Sequence, residues 1–272
     1  MQPSILKAMN ELTAIIASIV IGLSLGLIGA GGSILTIPVF VYVLKKDPLS
    51  SGVYSMFVVG MSSMAGSIQS MINRLVDFRV MLAFGTTSIT GVLIARKLIF
   101  PAIPDQLYSV GSFSLSKNIL FMLCLAVLMF LAAFRMLKPA MRTERETTIH
   151  RPHMTQLLLR GLFVGLITGL LGIGGGFLIV PALYFWAMLP VKKSIGTALL
   201  IITANSFFSF LTSYGSMNVD WLLLLKFSLG AVAGIVVGTR LSAKIPGDYL
   251  KKIFGWFILC VSVYIFYKQF FL

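Results

Sequence analysis

The sequence predicts an all-α polytopic membrane protein made of two inverted repeats, each a glycine-broken re-entrant helical hairpin followed by three transmembrane helices. Three observations predict it. The 272 residues are 58% hydrophobic and 11% charged, where a soluble domain carries about 25% charged residues. Charge-free runs recur at 12–44, 48–73, 118–134, 161–191 and 194–219, most of them as long as the roughly 20 residues that cross a bilayer. Finally, "GLIGAGGSILTIP" (26–38) returns 143 positions later as "GLLGIGGGFLIVP" (169–181), with seven of thirteen positions identical.

The repeat divides the chain into a first membrane unit at 1–138, a polar linker at 139–156 and a second unit at 157–272. Pro48 matches Pro190, "VDF" (76–78) matches "VDW" (219–221), and Gly91 matches Gly234. Each unit opens with a glycine-broken block. As one straight helix the 33-residue block 12–44 would measure roughly 50 Å, too long for one crossing of a hydrocarbon core about 30 Å thick and too short for two. Glycine disfavours helix interiors, so the break is expected at 29–33, between a long arm at 12–28 and a short arm at 34–44 that covers only about 16 Å. A hairpin that enters and leaves by one face fits these lengths. Three ordinary spans follow in each unit, near 52–70, 78–98 and 117–137, then near 194–213, 220–241 and 251–269.

The distribution of basic residues agrees. If both blocks are hairpins and the linker is cytoplasmic, fourteen Lys and Arg lie on the cytoplasmic side and seven outside; if both blocks cross once, the split is ten against eleven. Cytoplasmic loops of membrane proteins are enriched in Lys and Arg, which favours the hairpins and places both termini outside. The net charge of +14 belongs to this pattern, because the cations cluster at the ends of apolar runs where anionic headgroups lie; no nucleic-acid partner is implied. The N-terminal apolar run is not read as a cleaved signal, since its counterpart at 161–191 is internal.

Cys124 and Cys260 lie in separate apolar spans, and His150 and His153 lie in the polar linker. Neither pair has metal-ligand spacing, so no metal and no cofactor are expected. No paired acid, Ser–His arrangement or His-x-x-x-His spacing occurs within a span, which argues against an intramembrane enzyme.

Non-helical backbone survives at membrane depth only where protein or a water-filled cavity covers it. The breaks expose amides at Gly31, Gly32 and Ser33 and at Gly174, Gly175 and Gly176, heading the short arms. Helix N-termini carry partial positive charge and can cradle an oxyanion. Two inverted hairpins meeting near the midplane would form one polar pocket, as in many secondary transporters. The competing explanation is close helix packing through small residues. Candidate side chains for the pocket are Ser55, Ser62, Ser63, Thr197 and Asn205, of which Asn205 stands out as an amide about halfway along its span; any single Ser or Thr is more often bonded to its own helix. All eight Asp and Glu fall at or near span ends. A cation carrier ordinarily shows an acid inside its spans, so an anion or a neutral solute is expected.

The paired glycine segments, each followed by a proline, together with "SIGTALL" at 194–200, resemble the TauE/SafE family of sulfite exporters over nearly the whole chain. The resemblance implies a multi-pass anion transporter of the bacterial inner membrane, with sulfite, sulfonates or other organosulfur anions as substrates. Matched residue by residue, it points to Gly29, Gly31, Gly32, Gly172, Gly174, Gly175 and Gly176, with Pro38, Pro181, Gly196 and Thr197. The first unit departs from the pattern, with Ser33 in place of a glycine and "GVYSMFV" in place of the Gly-Thr pair.

The function expected is thus secondary transport of a small anion by alternating access of the two repeats. The alternative is an integral membrane binding or assembly protein that transports nothing, which absence of a ligand-sized polar cavity between the hairpins would favour. A small anionic substrate and the lipid bilayer are the expected partners, and a homodimer is one possible assembly. The topology is testable: in a background without Cys124 and Cys260, a Gln2→Cys variant should react with a membrane-impermeant maleimide in intact cells. Protection until lysis would contradict it.

Overall fold

The computed structural model describes residues 2–271 except 30, 47, 100–101, 103–105, 111–112, 138–153, 172–175, 214 and 216–218. The chain opens with helix α1 (Gln2–Ile28), turns at Gly29, and continues as α2 (Gly31–Pro38) and a π-helical turn, Val39–Val43. The turn is tighter than the expected break, because Gly31, Gly32 and Ser33 already form the first turn of α2. Gly29 has φ +74°, a left-handed conformation that suits glycine. Past it, Gly32 lies against Leu25 and Ile21, so α2 doubles back along α1. Pro38 lacks a donor and crowds the carbonyl four residues back; the following turn widens, and the Leu44 N–H reaches the Val39 carbonyl at 3.1 Å. Helix α1 also starts ten residues before the expected arm, so Glu11 lies within the helix rather than at its end.

Next come α3 (Pro48–Ile72) and α4 (Phe78–Ile94), the latter extended by a second π turn, Ala95–Ile99. A short antiparallel ladder, β1 (Gln106–Val110) with β2 (Phe113–Ser116), precedes α5 (Lys117–Leu137); this small hairpin is an addition to the expected all-helical fold. The second half runs α6 (Met154–Leu171), α7 (Gly176–Trp186), α8 (Val191–Ser213), α9 (Trp221–Lys244) and α10 (Gly247–Phe271). Among the described residues four stretches are long and apolar enough to span a bilayer: Phe78–Ile99, Val191–Ser213, Trp221–Lys244 and Gly247–Tyr267. Bulky apolar side chains such as Ile16, Leu82, Phe163, Leu222, Leu229 and Trp256 stand exposed on the outside of the bundle, as a lipid-facing surface requires.

The two "VD" pairs start helices. Asp77 caps α4 by accepting from the Val80 N–H at 3.1 Å, and Asp220 caps α9 by accepting from the Leu223 N–H at 3.1 Å. Each capping residue also donates its own N–H across the chain's midpoint: Asp77 to Thr197 Oγ1 and Asp220 to Tyr54 Oη, both at 3.0 Å. Pro48 heads α3 and Pro190 immediately precedes α8, near the helix start where a missing N–H costs nothing.

Glycines set the packing. Along α1 and α9, a Cβ on Gly22 would overlap the Ala231 carbonyl, one on Gly26 would stand 2.6 Å from the Ile235 oxygen, and one on Gly234 would overlap the Ile19 carbonyl. The contacts advance together, so α1 and α9 are parallel. Helices α4 and α6 repeat this: Gly161 meets Phe84 and Thr87, Gly165 meets Ser88, and Gly169 meets Val92 and Ala95. Small residues permit such backbone-to-backbone approach in lipid. Helix α3 runs parallel to α9, through Tyr54–Asp220, Gly66–Ile235 and Gln69–Thr239. Helix α8 runs parallel to α4, through Thr197–Asp77, Ile201–Gly85 and Asn205–Ser88. Across the centre, α3 and α8 are antiparallel: Gly60 faces Ser206, Ser63 faces Thr203 and Gly66 faces Leu199. The bundle therefore comprises two parallel triads, α1–α3–α9 and α4–α6–α8, that meet along the α3–α8 seam. Outside them α5 packs on α10.

A Gly165→Leu substitution drives a side chain into the Ser88 backbone and should destabilise the protein by about 1–3 kcal/mol or more. Gly247→Ala, whose Cβ has only an ordinary 3.7 Å neighbour, should leave the melting temperature in detergent unchanged. Equal melting of both variants with wild type would refute the close α4–α6 contact.

Candidate functional site

The expected site residues fall into three groups along the bundle. Gly29 lies at the tip of the first hairpin, where a Cβ would stand 2.8 Å from Ile195 Cγ2, early in α8. Thr197 is on the same end and accepts the Asp77 N–H, so its hydroxyl anchors the start of α4. Gly196 serves there too, with a Cβ position 2.5 Å from the Leu75 carbonyl. A recess at this end is lined by Ser70, Asn73, Lys192, Gly196, Thr239 and Ser242. Ser55 lies toward the opposite end of α3, buried, its hydroxyl without a partner among the described residues.

The middle group holds Ser62, Ser63 and Asn205. Ser62 returns its proton to the Val58 carbonyl at 2.7 Å and Ser63 to Val59 at 2.5 Å, the intrahelical bonding usual for a hydroxyl in an apolar helix. Ser63 also receives Thr203 Oγ1 at 3.0 Å, which stitches α3 to α8. Asn205 differs. Fully buried, it donates through Nδ2 to Ser88 Oγ at 2.9 Å, while Oδ1 has no partner among the described residues. One residue on, Ser206 Oγ is likewise buried and unpaired, as is Ser228 Oγ on α9. A buried polar atom left unpaired costs about 1–3 kcal/mol, and native proteins retain few.

Gly29 and Asn205 are not brought together. Ten residues of α8 separate Ile195 from Asn205, about 15 Å along the helix. The first hairpin's tip therefore lies near the start of α8 and not at mid-depth. The second long arm leads toward the other end, since Gly169 packs on Val92 and Ala95 near the close of α4. The returning arms, α2 and α7, do touch each other. Gly31 and Ser33 belong to the first turn of α2, and Gly32 packs on Leu25, its carbonyl accepting Thr36 Oγ1 at 2.5 Å. Gly176 opens α7; Gly172, Gly174 and Gly175, and the Ser33 side chain, lie outside the described residues. Pro181 is buried inside α7.

Three residues at this centre were not singled out by sequence: Ser88, Thr203 and Ser206. Ser88 sits in "TTSIT" (86–90), whose Thr86 is exposed and bonded to its own helix. Only packing shows which hydroxyl of that run faces inward, because a helix in lipid is apolar all round and its buried face has no period of its own.

The chemistry available is that of neutral donors. Asn205 offers an amide that can turn through 180°, so that Oδ1 accepts the Ser88 proton and the NH2 group presents two donors. The Ser206 hydroxyl adds another. The described carboxylates with placed side chains, Asp77, Asp220 and Asp248, all stand at helix starts.

A family model described as "Sulfite exporter TauE/SafE" matches residues 14–265. A "Probable membrane transporter protein" of Xylella fastidiosa (strain Temecula1) is 28% identical over 262 residues, covering 92% of this chain and 92% of the relative. The "Probable membrane transporter protein YunE" of Bacillus subtilis (strain 168) is 24% identical over 278 residues, covering 97% and 100%. YjnA of the same organism, named likewise, is 24% identical over 255 residues, covering 92% and 97%. No solved structure matches. The chain belongs to the sulfite exporter TauE/SafE family.

Proposed function

We propose that the protein is a secondary transporter of small sulfur oxyanions — sulfite, sulfonates or related organosulfur anions — in the bacterial inner membrane. Its relatives are named as membrane transporters rather than enzymes. The observation that carries the anion reading is the buried centre around Asn205, Ser88 and Ser206: an amide whose Oδ1 has no described partner and which can turn to present its NH2 group, beside an unpaired Ser206 hydroxyl, near the middle of long helices and with no described carboxylate beside them. A desolvated oxyanion gains charge-assisted hydrogen bonds from the turned amide and the hydroxyl, and no described carboxylate stands there to offset a cation's charge.

Inversion of the two sequence units is supported by helix direction. Helices α1, α3 and α9 run one way; their positional counterparts α6, α8 and α4 run the other. The moving bodies, however, are not the sequence units. Each triad takes helices from both, and its α3–α9 or α4–α8 pair is tied by side-chain bonds near both ends: Tyr54–Asp220 and Gln69–Thr239 in one, Thr197–Asp77 and Ser213–Arg96 in the other. The α3–α8 seam between them is joined by the Ser63–Thr203 contact. Alternating access then consists of one triad rocking on the other about this seam, opening Asn205 to either side in turn.

Reconstituted protein should move radiolabelled sulfite, sulfoacetate or taurine across liposomes. Transport of none of them, with clear transport of a metal cation, would refute the anion reading. Removing one charge-assisted hydrogen bond costs about 1.5–3 kcal/mol, so Asn205→Ala and Ser88→Ala should each slow uptake at low substrate by about ten- to a hundredfold. Unchanged uptake in both variants would remove this pair from the binding site.

A further inference from the structure

We propose that Arg96 forms a second, cationic subsite for the oxyanion, at the end of the bundle where α4 and α8 finish; this rests on the transport reading above. Sequence placed Arg96 among the cations at span ends, where a long basic side chain ordinarily snorkels to the headgroups. Its neighbour Lys97 does so and is exposed. Arg96 does not. Arg96 is the second residue of the π turn Ala95–Ile99, which widens the end of the helix from its regular register. The guanidinium turns inward and donates through Nη1 to Ser213 Oγ, the last residue of α8, at 2.9 Å. Its Nε is buried with no partner among the described residues, and no described carboxylate pairs with it.

An inward arginine with no described acid beside it is costly to keep inside a membrane protein, and a visiting anion offsets that cost. Guanidinium presents a planar fork of donors that fits a sulfite or sulfonate head with two parallel hydrogen bonds. The surroundings suit such a ligand. Ala95 packs on Gly169, so Arg96 lies beside the part of α6 that leads, three residues later, into the second glycine-rich stretch. Along α8, Ser213 is eight residues from Asn205, about 12 Å, and Arg96 is the same number of residues from Ser88 on α4. The cation and the neutral pair thus lie on one α4–α8 line, with Arg96 as the capture point and Asn205 as the deeper, charge-free stop from which the anion is released. The positional counterpart of Arg96 in the second unit is Thr239, which contacts Gln69 Oε1 at 2.6 Å, so the second unit has no guanidinium at the matching place.

The test is equilibrium binding of sulfite, sulfoacetate and inorganic phosphate to the purified full-length protein in neutral detergent, comparing wild type with Arg96→Gln, Arg96→Lys, Ser213→Ala and Lys97→Gln. Arg96→Gln should weaken binding by about tenfold or more and flatten its salt dependence. Arg96→Lys, which keeps a charge but not the fork, and Ser213→Ala, which frees the guanidinium, should fall between; they carry the test should Arg96→Gln not fold. Lys97→Gln should bind like wild type. Arg96 variants that bind like wild type, or a Lys97→Gln loss equal to theirs, would overturn the subsite. So would loss of co-purifying anionic lipid with unchanged anion affinity, since the arginine would then hold a headgroup. Wild-type binding of phosphate but of neither sulfur anion, with the Arg96 dependence intact, would overturn the sulfur assignment and leave the subsite standing. Absence of all binding to wild type would overturn both.

Discussion

The contact of backbone with backbone at glycine supports everything else in this molecule. In lipid there is no hydrophobic gain from pressing two helices together, so association depends on close packing and on hydrogen bonds. Gly22, Gly26, Gly234 and Gly238 bring α1 onto α9; Gly91, Gly161, Gly165 and Gly169 bring α4 onto α6. With those pairs locked, α3 and α8 are held against each other as the remaining central helices. Their buried polar side chains bond within their own helix, pair across the seam, or keep an atom without a described partner.

Most do pair. Thr197, Ser62 and Ser63 are satisfied by protein partners. Tyr54 is held between Phe40, at 5.5 Å between ring centroids, and the Asp220 N–H it accepts. Asn205 and Ser206 are left with unpaired atoms at the seam. A transporter needs a ligand site whose groups are desolvated, neutral and able to let go, and an amide with a hydroxyl binds an oxyanion less tightly than a fixed cation would. A guanidinium nearer the end of the path adds attraction without fixing the anion at the centre.

Much of this was legible in sequence. Helices stand over the six expected spans, four of them long and apolar enough to cross a bilayer; they and the doubled glycine block follow from apolar run length and repetition, which act locally, while residues 139–153 of the expected linker lie outside the described residues. The inward face of each helix was not legible: "TTSIT" contains Ser88, yet nothing in its neighbours tells that Ser88 rather than Thr86 points to Asn205. The depth of the hairpin was also missed. Arm length was counted from the first charge-free residue, Leu12, whereas α1 carries on from Gln2 and its tip reaches Ile195. Lastly, no residue pattern in "ARKLI" announces the π turn that contains Arg96.

The central claim is that two interleaved triads meet at the α3–α8 seam and move there. A Cβ on Gly60 would lie 3.4 Å from Ser206 Cβ, close to the roughly 3.5–4.5 Å of a disulfide. In a background without Cys124 and Cys260, the double variant Gly60→Cys/Ser206→Cys should cross-link on mild oxidation and lose transport, and regain it on reduction relative to the reduced, unlinked protein. Failure to cross-link, or full transport in the cross-linked state, would contradict the account.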